Sequence, residues 1–432
     1  MGKLALLGGE KTVTLDYEKV GNIPLCTETG IEDAIALMKK GEISQSQSVI
    51  DFENRFAAYM GAKYALATNN GTSALDSALF AVGVRPGDEV LVPSFTFWAS
   101  MVPIIAQHAT PVFCDIDRNT HCMDPADIER KITPKTRAIM LVHVWGAACD
   151  MDAIMGIARK HNIKVIEDCS HAHGTKYKGV HVGNFGDIGC YSLQGSKLLP
   201  AGEGGILITN NQEYFERCLA FGHYDRLANL PETSEYRKYM LTGMGHKYRP
   251  HPVAIALANR RLDTLDQSNE IRNRNALKFE KLVSDLDWMV TQKVYDGVEK
   301  VFAYQYFVFD NTKFEGIRTF SLLKALGREG VSCGYCGYGR LHKSPLVLQG
   351  GPWGDCGPRE TPVSLPETEY LAEHAFLACP RFETECDELI EQYAAAYHKI
   401  EENRDELIEF DRSHDFTEEM KNLSGRTIAM IK

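Results

Sequence analysis

Residues 138–170 read AIMLVHVWGAACDMDAIMGIARKHNIKVIEDCS, and this stretch holds two apolar runs separated by a helical pattern. The runs AIMLVHVW and KVIEDCS have the length and apolar content of buried strands. Between them, MDAIMGIARKHN repeats apolar residues at helical spacing and has basic residues in its last turn. A strand, a helix and a second strand in this order predict one unit of a parallel sheet.

The same alternation continues on both sides of this unit. MDPADIERKI (123–132) is a second predicted helix, because its Asp and Pro suit a first helical turn. Four more apolar runs have strand length: EVLVPSF (89–95), TPVFCDI (110–116), DIGCYSL (187–193) and GGILITN (204–210). The pattern predicts an α/β fold with a mostly parallel sheet covered by helices on both faces.

The pattern changes after about residue 255. A long charged helix is predicted over 256–283, followed by shorter strands such as VFAYQYFVF (301–309). We therefore predict two domains, a large one with its N-terminal segment over 1–260 and a bridging helix with a smaller α+β domain over 261–432. QGGPWGDCGP (349–358) is predicted to be a surface loop, and the segment from 387 to 408 to be helical.

Composition excludes several classes of function. The chain has 432 residues, 44% of them hydrophobic, which allows two or three domains. Its net charge of −11 and lack of a basic stripe argue against binding nucleic acid or an anionic membrane. The short apolar run LALLGG is neither a membrane span nor a secretory signal.

The 12 cysteines are scattered without a disulfide framework, as expected of reduced thiols in the cytoplasm. Cys333 and Cys336 form one CxxC, and no second pair follows to complete a zinc site. We interpret these two as small loop or core residues.

Ligands of doubly wound sheets bind beyond the carboxyl ends of the strands, so residues that follow strands are the first candidates for a site. NNGTSAL (69–75) places Gly71, Thr72 and Ser73 at the start of a predicted helix over 72–80. Small residues and the free N–H groups of a helix N-terminus favour an anion such as phosphate. Thr72 or Ser73 can equally be a simple N-cap.

Aromatic residues follow the next strand. PSFTFWAS (93–100) contains Phe95, Phe97 and Trp98. Such clusters usually belong to the core, but one of these rings can instead stack on a flat cofactor.

Acids and histidines follow a third strand in VIEDCSHAHG (165–174), which contains Asp168, His171 and His173. A carboxylate at the end of a buried strand needs a partner. The DxxHxH spacing can ligate zinc or iron. A protonated pyridine nitrogen is the better partner for Asp168, because no further metal ligands stand out.

The stretch YSLQGSK (191–197) adds a hydroxyl and an amine. Ser192 can donate to the phosphate, and Lys197 comes just beyond the strand. An anion cradle, a stacking ring, a carboxylate and an amine are together what pyridoxal 5′-phosphate requires.

Six motifs along the chain are those of a known family: NGTSAL, RPGDEVLVPSFTF, TPVFCDID, VIEDCSHAHG, YSLQGSK and GEGG. With them the chain resembles the DegT/DnrJ family of sugar aminotransferases, which use pyridoxal phosphate and have the transferase fold type I. The resemblance implies a seven-stranded, mostly parallel sheet in the large domain and a smaller C-terminal α+β domain.

The resemblance also implies roles for single residues. Lys197 forms the Schiff base with the cofactor, and Asp168 binds its pyridine nitrogen. Phe97 is the stacking ring, and His171 lies beside the ring hydroxyl. The phosphate contacts fall to Thr72 and Ser192, with Ser73 in the same loop.

One motif departs from the family pattern. Where the family commonly has Asn-Tyr-Arg reaching across a dimer interface, this chain has Lys247-Tyr248-Arg249. Lys247 can still meet the phosphate of a partner subunit as a cation. The resemblance implies a homodimer with shared active sites.

The implied reaction moves an amino group from glutamate or glutamine to a keto sugar, often nucleotide-linked, or to a keto cyclitol. The alternatives are a sugar dehydrase that uses pyridoxal or pyridoxamine phosphate, a non-catalytic ligand-binding regulator of the same fold, and a zinc or iron enzyme. The dehydrases replace the lysine by histidine, whereas Lys197 is present here.

Overall fold

The large sheet of the protein has seven strands. The computed structural model describes residues 2–350 and 363–416. In spatial order the strands are Tyr64–Thr68, Gly205–Thr209, Ile188–Ser192, Lys164–Asp168, Thr136–Val142, Glu89–Pro93 and Thr110–Cys114. The predicted seven-stranded α/β architecture is thereby confirmed.

Gly205–Thr209 runs antiparallel to both of its neighbours, and the remaining pairings in the sheet are parallel. The six predicted strands lie where the apolar runs indicated, shortened by one to three residues. The strand Tyr64–Thr68 was not predicted. Its sequence YALAT is short and has two alanines, so it carries little apolar signal.

Side chains of the central strands alternate between two cores. Ile139 packs in the core on one face of the sheet, and Met140 packs in the core on the other. The helices Gln47–Met60 and Met151–His161 cover the first face, whereas Gly71–Ala81 and Gln212–Gly222 cover the second.

The prediction of one long helix over 256–283 was wrong. The structure has two helices there, Pro252–Leu262 and Leu265–Leu282, because Thr264 leaves the helical conformation with φ −118° and ψ 8°. Each half packs on a different partner: the first lies on the helix Glu28–Lys40 and the second on the helix Asp387–Glu402.

Two more elements are shorter than predicted. The helical segment over 387–408 is interrupted at Asn403, where Asp387–Glu402 ends and Arg404–Ser413 begins. The strand over 301–309 is reduced to Gln305–Phe309.

A second sheet is four-stranded and antiparallel, with the order Met289–Thr291, Gln305–Phe309, Ala375–Cys379 and Gly334–Tyr335. Its core holds Trp288, and the N-terminal residues Leu4 and Val13 pack into the same core. The domain boundary near residue 260 stays a prediction, and most of the 349–358 loop lies outside the described residues.

A small third sheet joins Val298–Glu299, Lys176–Tyr177 and Val180–His181.

Within residues 2–350 and 363–416, every helix is too short or too polar to cross a bilayer. The remaining α-helices are Tyr17–Val20, Val102–Ala106, Pro125–Lys131, Thr319–Arg328, Pro345–Leu348 and Pro366–His374.

Candidate active site

The carboxyl ends of the parallel strands open into one cavity of about 740 Å³, a common size for a small-molecule site. Eight of the nine predicted site residues line it: Gly71, Thr72, Ser73, Phe97, Asp168, His171, Ser192 and Lys197. The topology explains this assembly, because the ends of parallel strands meet at one edge of the sheet.

The N-terminus of the Gly71–Ala81 helix forms one end of the cavity. Asn70 is the N-cap, and its side chain accepts a hydrogen bond from the Ser73 N–H at 2.8 Å. The alternative that Thr72 or Ser73 is the cap was therefore wrong. The first N–H groups of a helix lack partners within it, so this end of the cavity suits an anion.

Ser192 lies beside this helix terminus. A β-carbon on Gly71 would stand 2.9 Å from the Cβ of Ser192, so only glycine lets the helix approach the strand end this closely. The contact brings the Ser192 hydroxyl to the same end of the cavity as the helix N–H groups.

Asp168 ends the strand Lys164–Asp168 with its side chain 5% exposed. One carboxylate oxygen accepts a hydrogen bond from the Ser100 hydroxyl at 2.8 Å, and the other accepts from the Ser170 N–H at 3.1 Å. These two bonds orient the carboxylate and leave lone pairs for a ligand group in the cavity.

Lys197 is half-buried in the turn after the strand Ile188–Ser192. Its Nζ lies 5.9 Å from the ring centroid of Tyr304. Burial favours the neutral phenol of Tyr304, but Lys197 together with Ser196 and Arg381 holds the pKa of Tyr304 below its usual 10. The charge of the amine thus acts on the phenol across the cavity.

His171 is buried between the cavity and the loop that carries Tyr338. The Tyr338 hydroxyl lies 2.9 Å from Nε2 of His171, and Nδ1 accepts from the Trp145 N–H at 3.4 Å. Burial, assisted by the charge of Lys197, holds the pKa of His171 well below its usual 6.5. The imidazole is therefore neutral at pH 7.

The structure separates the three aromatic candidates. Phe95 is fully buried, with its ring edge-on to Trp145 and Tyr338, and belongs to the core. Phe97 and Trp98 line the cavity, and their ring centroids lie 4.8 Å apart. Either ring is placed to face a flat ligand.

Lys247 is the one predicted site residue that lies away from the cavity of its own chain. It is exposed in the loop before the Pro252–Leu262 helix. Its role at a partner's site stays a prediction.

The metal hypothesis finds no support in the positions of the two histidines. His171 faces the cavity, whereas His173 is buried against Tyr191. Among the described residues, the potential metal ligands that lie close together are instead His143, Glu167 and Cys169.

Hydrogen bonds account for this buried group. Glu167 accepts from the three N–H groups of Gly183, Phe185 and Gly186 and lies 3.0 Å from Nε2 of His143. Its carboxylate oxygens are thus hydrogen-bonded to the turn at 183–186, which Glu167 holds against the sheet.

Cys333 and Cys336 belong to two different apolar clusters. Burial raises the pKa of each thiol to about 12. The structure agrees with their interpretation as packing residues.

Three residues of the site gave no clear signal in the sequence. Ser100 contacts Asp168 from another strand connection, and Tyr304 and Tyr306 reach the cavity from the second sheet. The spacing of the two tyrosines indicates one face of a strand, but only the tertiary fold shows what that face meets.

The polar groups that line the cavity fit pyridoxal 5′-phosphate. An anion-binding helix terminus lies at one end, a buried carboxylate suits a protonated ring nitrogen, and an amine lies in the same cavity. The close approach of Gly71 to Ser192 makes the phosphate end narrow and rich in N–H and O–H groups.

Comparisons with known proteins agree with this fit. The model of the DegT/DnrJ/EryC1/StrS aminotransferase family matches residues 24–374. The chain is 40% identical over 243 residues to GDP-perosamine synthase of Escherichia coli O157:H7; the match covers 56% of this chain and 65% of the synthase, slightly less than two thirds.

A longer match is to a putative L-glutamine:3-amino-2,3-dideoxy-scyllo-inosose aminotransferase of Micromonospora echinospora. It is 33% identical over 354 residues and covers 80% of this chain and 82% of that protein. Among solved structures, an aminotransferase from Psychrobacter cryohalolentis superposes with a TM-score of 0.77 and 27% identity, covering 88% of this chain and 98% of that one. The chain therefore belongs to the DegT/DnrJ/EryC1/StrS aminotransferase family, a family of pyridoxal-phosphate-dependent enzymes.

Proposed function

We propose that the protein is a pyridoxal-phosphate-dependent aminotransferase that moves the amino group of L-glutamine or L-glutamate to a keto sugar or a keto cyclitol. The observation that carries the proposal is the convergence of Lys197, Asp168 and the Gly71–Ala81 helix terminus on one cavity. The donor's α-carbon loses its amine and becomes a ketone, while the acceptor's carbonyl carbon becomes an amine. The exchange is balanced and needs no external oxidant.

The bound cofactor supplies an electron-withdrawing ring that stabilises negative charge at the donor's α-carbon. Lys197 would hold the cofactor covalently, and its Nζ, once the donor's amine has taken its place, would take the proton from that α-carbon. Asp168 would keep a proton on the pyridine nitrogen, and Ser100 holds the carboxylate in place for this task. Gly71, Thr72, Ser73 and Ser192 would bind the phosphate, and Phe97 would pack on the ring.

Neutral His171 has a different task from an acid catalyst. Because its pKa lies well below 6.5, it is not an imidazolium at pH 7, and the one N–H of the neutral ring is too weakly acidic to protonate a substrate. We propose that His171 lies beside the hydroxyl group of the cofactor ring. It also forms a hydrogen bond with the hydroxyl of Tyr338.

The names of relatives support the choice of substrates. One is a GDP-perosamine synthase, and others are named L-glutamine:2-deoxy-scyllo-inosose aminotransferase, so both nucleotide sugars and keto cyclitols occur among them. A GDP-4-keto-6-deoxy-D-mannose-3-dehydratase of E. coli shares the fold at 21% identity with a TM-score of 0.77. Lys197 favours the aminotransferase over this dehydratase alternative.

We further propose that the enzyme is a cytoplasmic homodimer with shared active sites, in which Lys247 reaches the phosphate of the partner's cofactor. Exposed apolar side chains on the helix Glu28–Lys40 support the packing of a second copy of the chain against this helix. It exposes Ile31, Ile35 and Met38 on one stripe, while Ala34 and Leu37 face the Pro252–Leu262 helix.

The donor half-reaction tests the function. Protein loaded with pyridoxal phosphate should change its visible spectrum when L-glutamine or L-glutamate is added, and should release the corresponding keto acid. Lys197→Ala should abolish both signals, whereas Lys176→Ala, a change of another half-buried lysine outside the cavity, should retain them. Normal turnover by the Lys197 variant would refute the assignment.

A further inference from the structure

Tyr304 lies beside Lys197, in the wall of the cavity that the second sheet provides. Nζ of Lys197 stands 5.9 Å from the centroid of the Tyr304 ring, and the guanidinium carbon of Arg381 stands 5.9 Å from the same centroid. His171 packs edge-on against the ring, with 5.2 Å between the two ring centroids. The phenol is therefore held next to the amine that the proposed function makes reactive.

Hydrogen bonds fix the direction of the Tyr304 hydroxyl. Its oxygen lies 3.3 Å from Oγ of Ser196. The Ser196 hydroxyl itself donates to Oε1 of Gln194 at 2.6 Å, and the Ser196 N–H donates to the same oxygen at 2.8 Å. Because a hydroxyl has only one hydrogen, Ser196 accepts from Tyr304 in this arrangement. The lone pairs of the phenol oxygen remain available to a second donor.

Lys197 also acts on the protonation of this phenol. Burial raises the pKa of Tyr304, but the charge of Lys197, assisted by Ser196 and by the charge of Arg381, holds it below its usual 10. Ser196 can assist because its hydroxyl is able to turn from Gln194 toward a phenolate. The other titratable groups that face the ring are His171, Tyr306 and Tyr338. The coupling makes the titration of Tyr304 a direct probe of the Lys197 amine.

Under the proposed function, Lys197 works in two states. It first holds the cofactor, and after the donor's amine has taken its place, Nζ must stay close enough to the donor's α-carbon to take the proton. A free lysine side chain has several rotatable bonds and a strongly hydrated charge, so an unrestrained amine turns toward water. Reaction rates depend steeply on such positioning.

We propose that Tyr304 is a positioning residue for amino transfer, whose phenol oxygen accepts a hydrogen bond from Nζ of Lys197 while that amine is free and so keeps it at the donor's α-carbon. The proton passes from the α-carbon to Nζ, and Tyr304 keeps its own proton on Ser196. The inference rests on the aminotransferase function proposed above. The groups that carry it, Lys197, Tyr304 and Ser196, belong to one chain.

The coupling of the two side chains is measured in the full-length protein before cofactor is added. Tyrosine labelled with ¹³C at Cζ reports the protonation of each phenol by NMR, and the signal of Tyr304 is the one lost in Tyr304→Phe. This signal should titrate at a higher pH in Lys197→Met, which removes the charge and keeps a long side chain. Lys176→Met changes another half-buried lysine, outside the cavity, and should leave the signal unchanged.

The donor half-reaction measures the effect on chemistry. Tyr304→Phe keeps the ring that packs against His171 and loses only the oxygen. At saturating cofactor it should slow the single-turnover reaction with L-glutamine about tenfold or more, the loss expected for one hydrogen bond to a charged group. Its affinity for pyridoxal phosphate should stay close to that of the wild type. Tyr295→Phe removes a hydroxyl outside the cavity and should change neither quantity.

An isotope effect separates positioning from general damage to the site. L-glutamine with deuterium at the α-carbon should react with a larger isotope effect in Tyr304→Phe than in the wild type. The reason is that loss of the anchor slows the transfer of the proton to Nζ and not the binding of the donor.

Failure of the wild type to react with either L-glutamine or L-glutamate would refute the proposed function. If the wild type reacts, three results overturn the inference on Tyr304 instead: an unchanged titration of Tyr304 in Lys197→Met, a wild-type rate in Tyr304→Phe, or a slower rate in Tyr304→Phe without a larger isotope effect.

Discussion

Gly71 and Ser192 touch at the helix-terminal end of the cavity, where a β-carbon on Gly71 would stand 2.9 Å from Cβ and 3.0 Å from Cα of Ser192. The contact joins a helix N-terminus to the end of a neighbouring strand. It fixes the width of the anion-binding end, which makes the glycine a requirement of the site and not only of the turn.

We expect Gly71→Ala to lower the affinity for pyridoxal phosphate about tenfold or more, because the helix or the strand must shift to admit the methyl group. Gly156→Ala is the matched control: its added Cβ meets nothing within 4 Å inside the Met151–His161 helix. Absorbance titration with the cofactor measures both affinities, with circular dichroism as a check on folding. Equal affinities would show that the close contact does not shape the site.

The bond from Ser100 to Asp168 predicts a positioning effect. Ser100→Ala should lower the turnover rate roughly 3- to 20-fold, the range of one lost hydrogen bond, while the cofactor still binds. Asp168→Asn should lower the rate further, because the charge facing the ring nitrogen is lost. Ser77→Ala, a change of a buried serine that donates to the Ser73 carbonyl, should leave the rate unchanged.

Spectra of the loaded variants distinguish positioning from simple damage. Ser100→Thr keeps the hydroxyl and should restore most of the rate and the wild-type spectrum. If Ser100→Thr behaved like Ser100→Ala, the hydroxyl would not be the group that matters.

The sequence predicted the parallel strands and most of the cavity lining, since long apolar runs and the residues directly after them are local signals. It missed the break at Thr264, because no proline or glycine marks it and the two halves of the helix differ only in their partners. It also missed Tyr304 and Ser100, whose contacts join segments far apart along the chain. Tertiary contacts of this kind have no signature in a single sequence.

His223 predicts a loss of stability in acid. It is buried with Nε2 2.9 Å from the Ala67 carbonyl, and burial, assisted by Arg226, lowers its pKa from 6.5 to about 4. Between pH 6.5 and 4 the unfolded chain takes up a proton that the folded chain does not, so the free energy of unfolding falls as the pH falls. The slope from this group approaches about 1.4 kcal/mol per pH unit.

Denaturant unfolding at pH 7 and pH 5 measures the effect. His223→Gln keeps a donor for the Ala67 carbonyl but cannot titrate, so its stability should depend less on pH than that of the wild type. His108→Gln, a change of an exposed histidine, should keep the wild-type slope. An unchanged slope in the His223 variant would contradict the assignment.

Trp145 supports the wall of the cavity from behind. It is fully buried, with its ring stacked on Tyr306 at 4.1 Å, while its backbone N–H donates to Nδ1 of His171. Trp145→Phe leaves space behind Tyr306 and should lower the free energy of unfolding by about 1–3 kcal/mol. The same variant should weaken binding of the cofactor and the acceptor, because Tyr306, on which the indole stacks, lines the cavity.

Trp288→Phe separates stability from ligand binding. Trp288 is equally buried but lies in the core of the second sheet, where it donates to Glu401 at 2.9 Å. Both variants should unfold at lower denaturant concentration, yet only Trp145→Phe should change ligand affinity at a temperature where both are folded. If the two variants lost affinity in parallel, binding would follow global stability, and Trp145 would have no separate part in shaping the cavity.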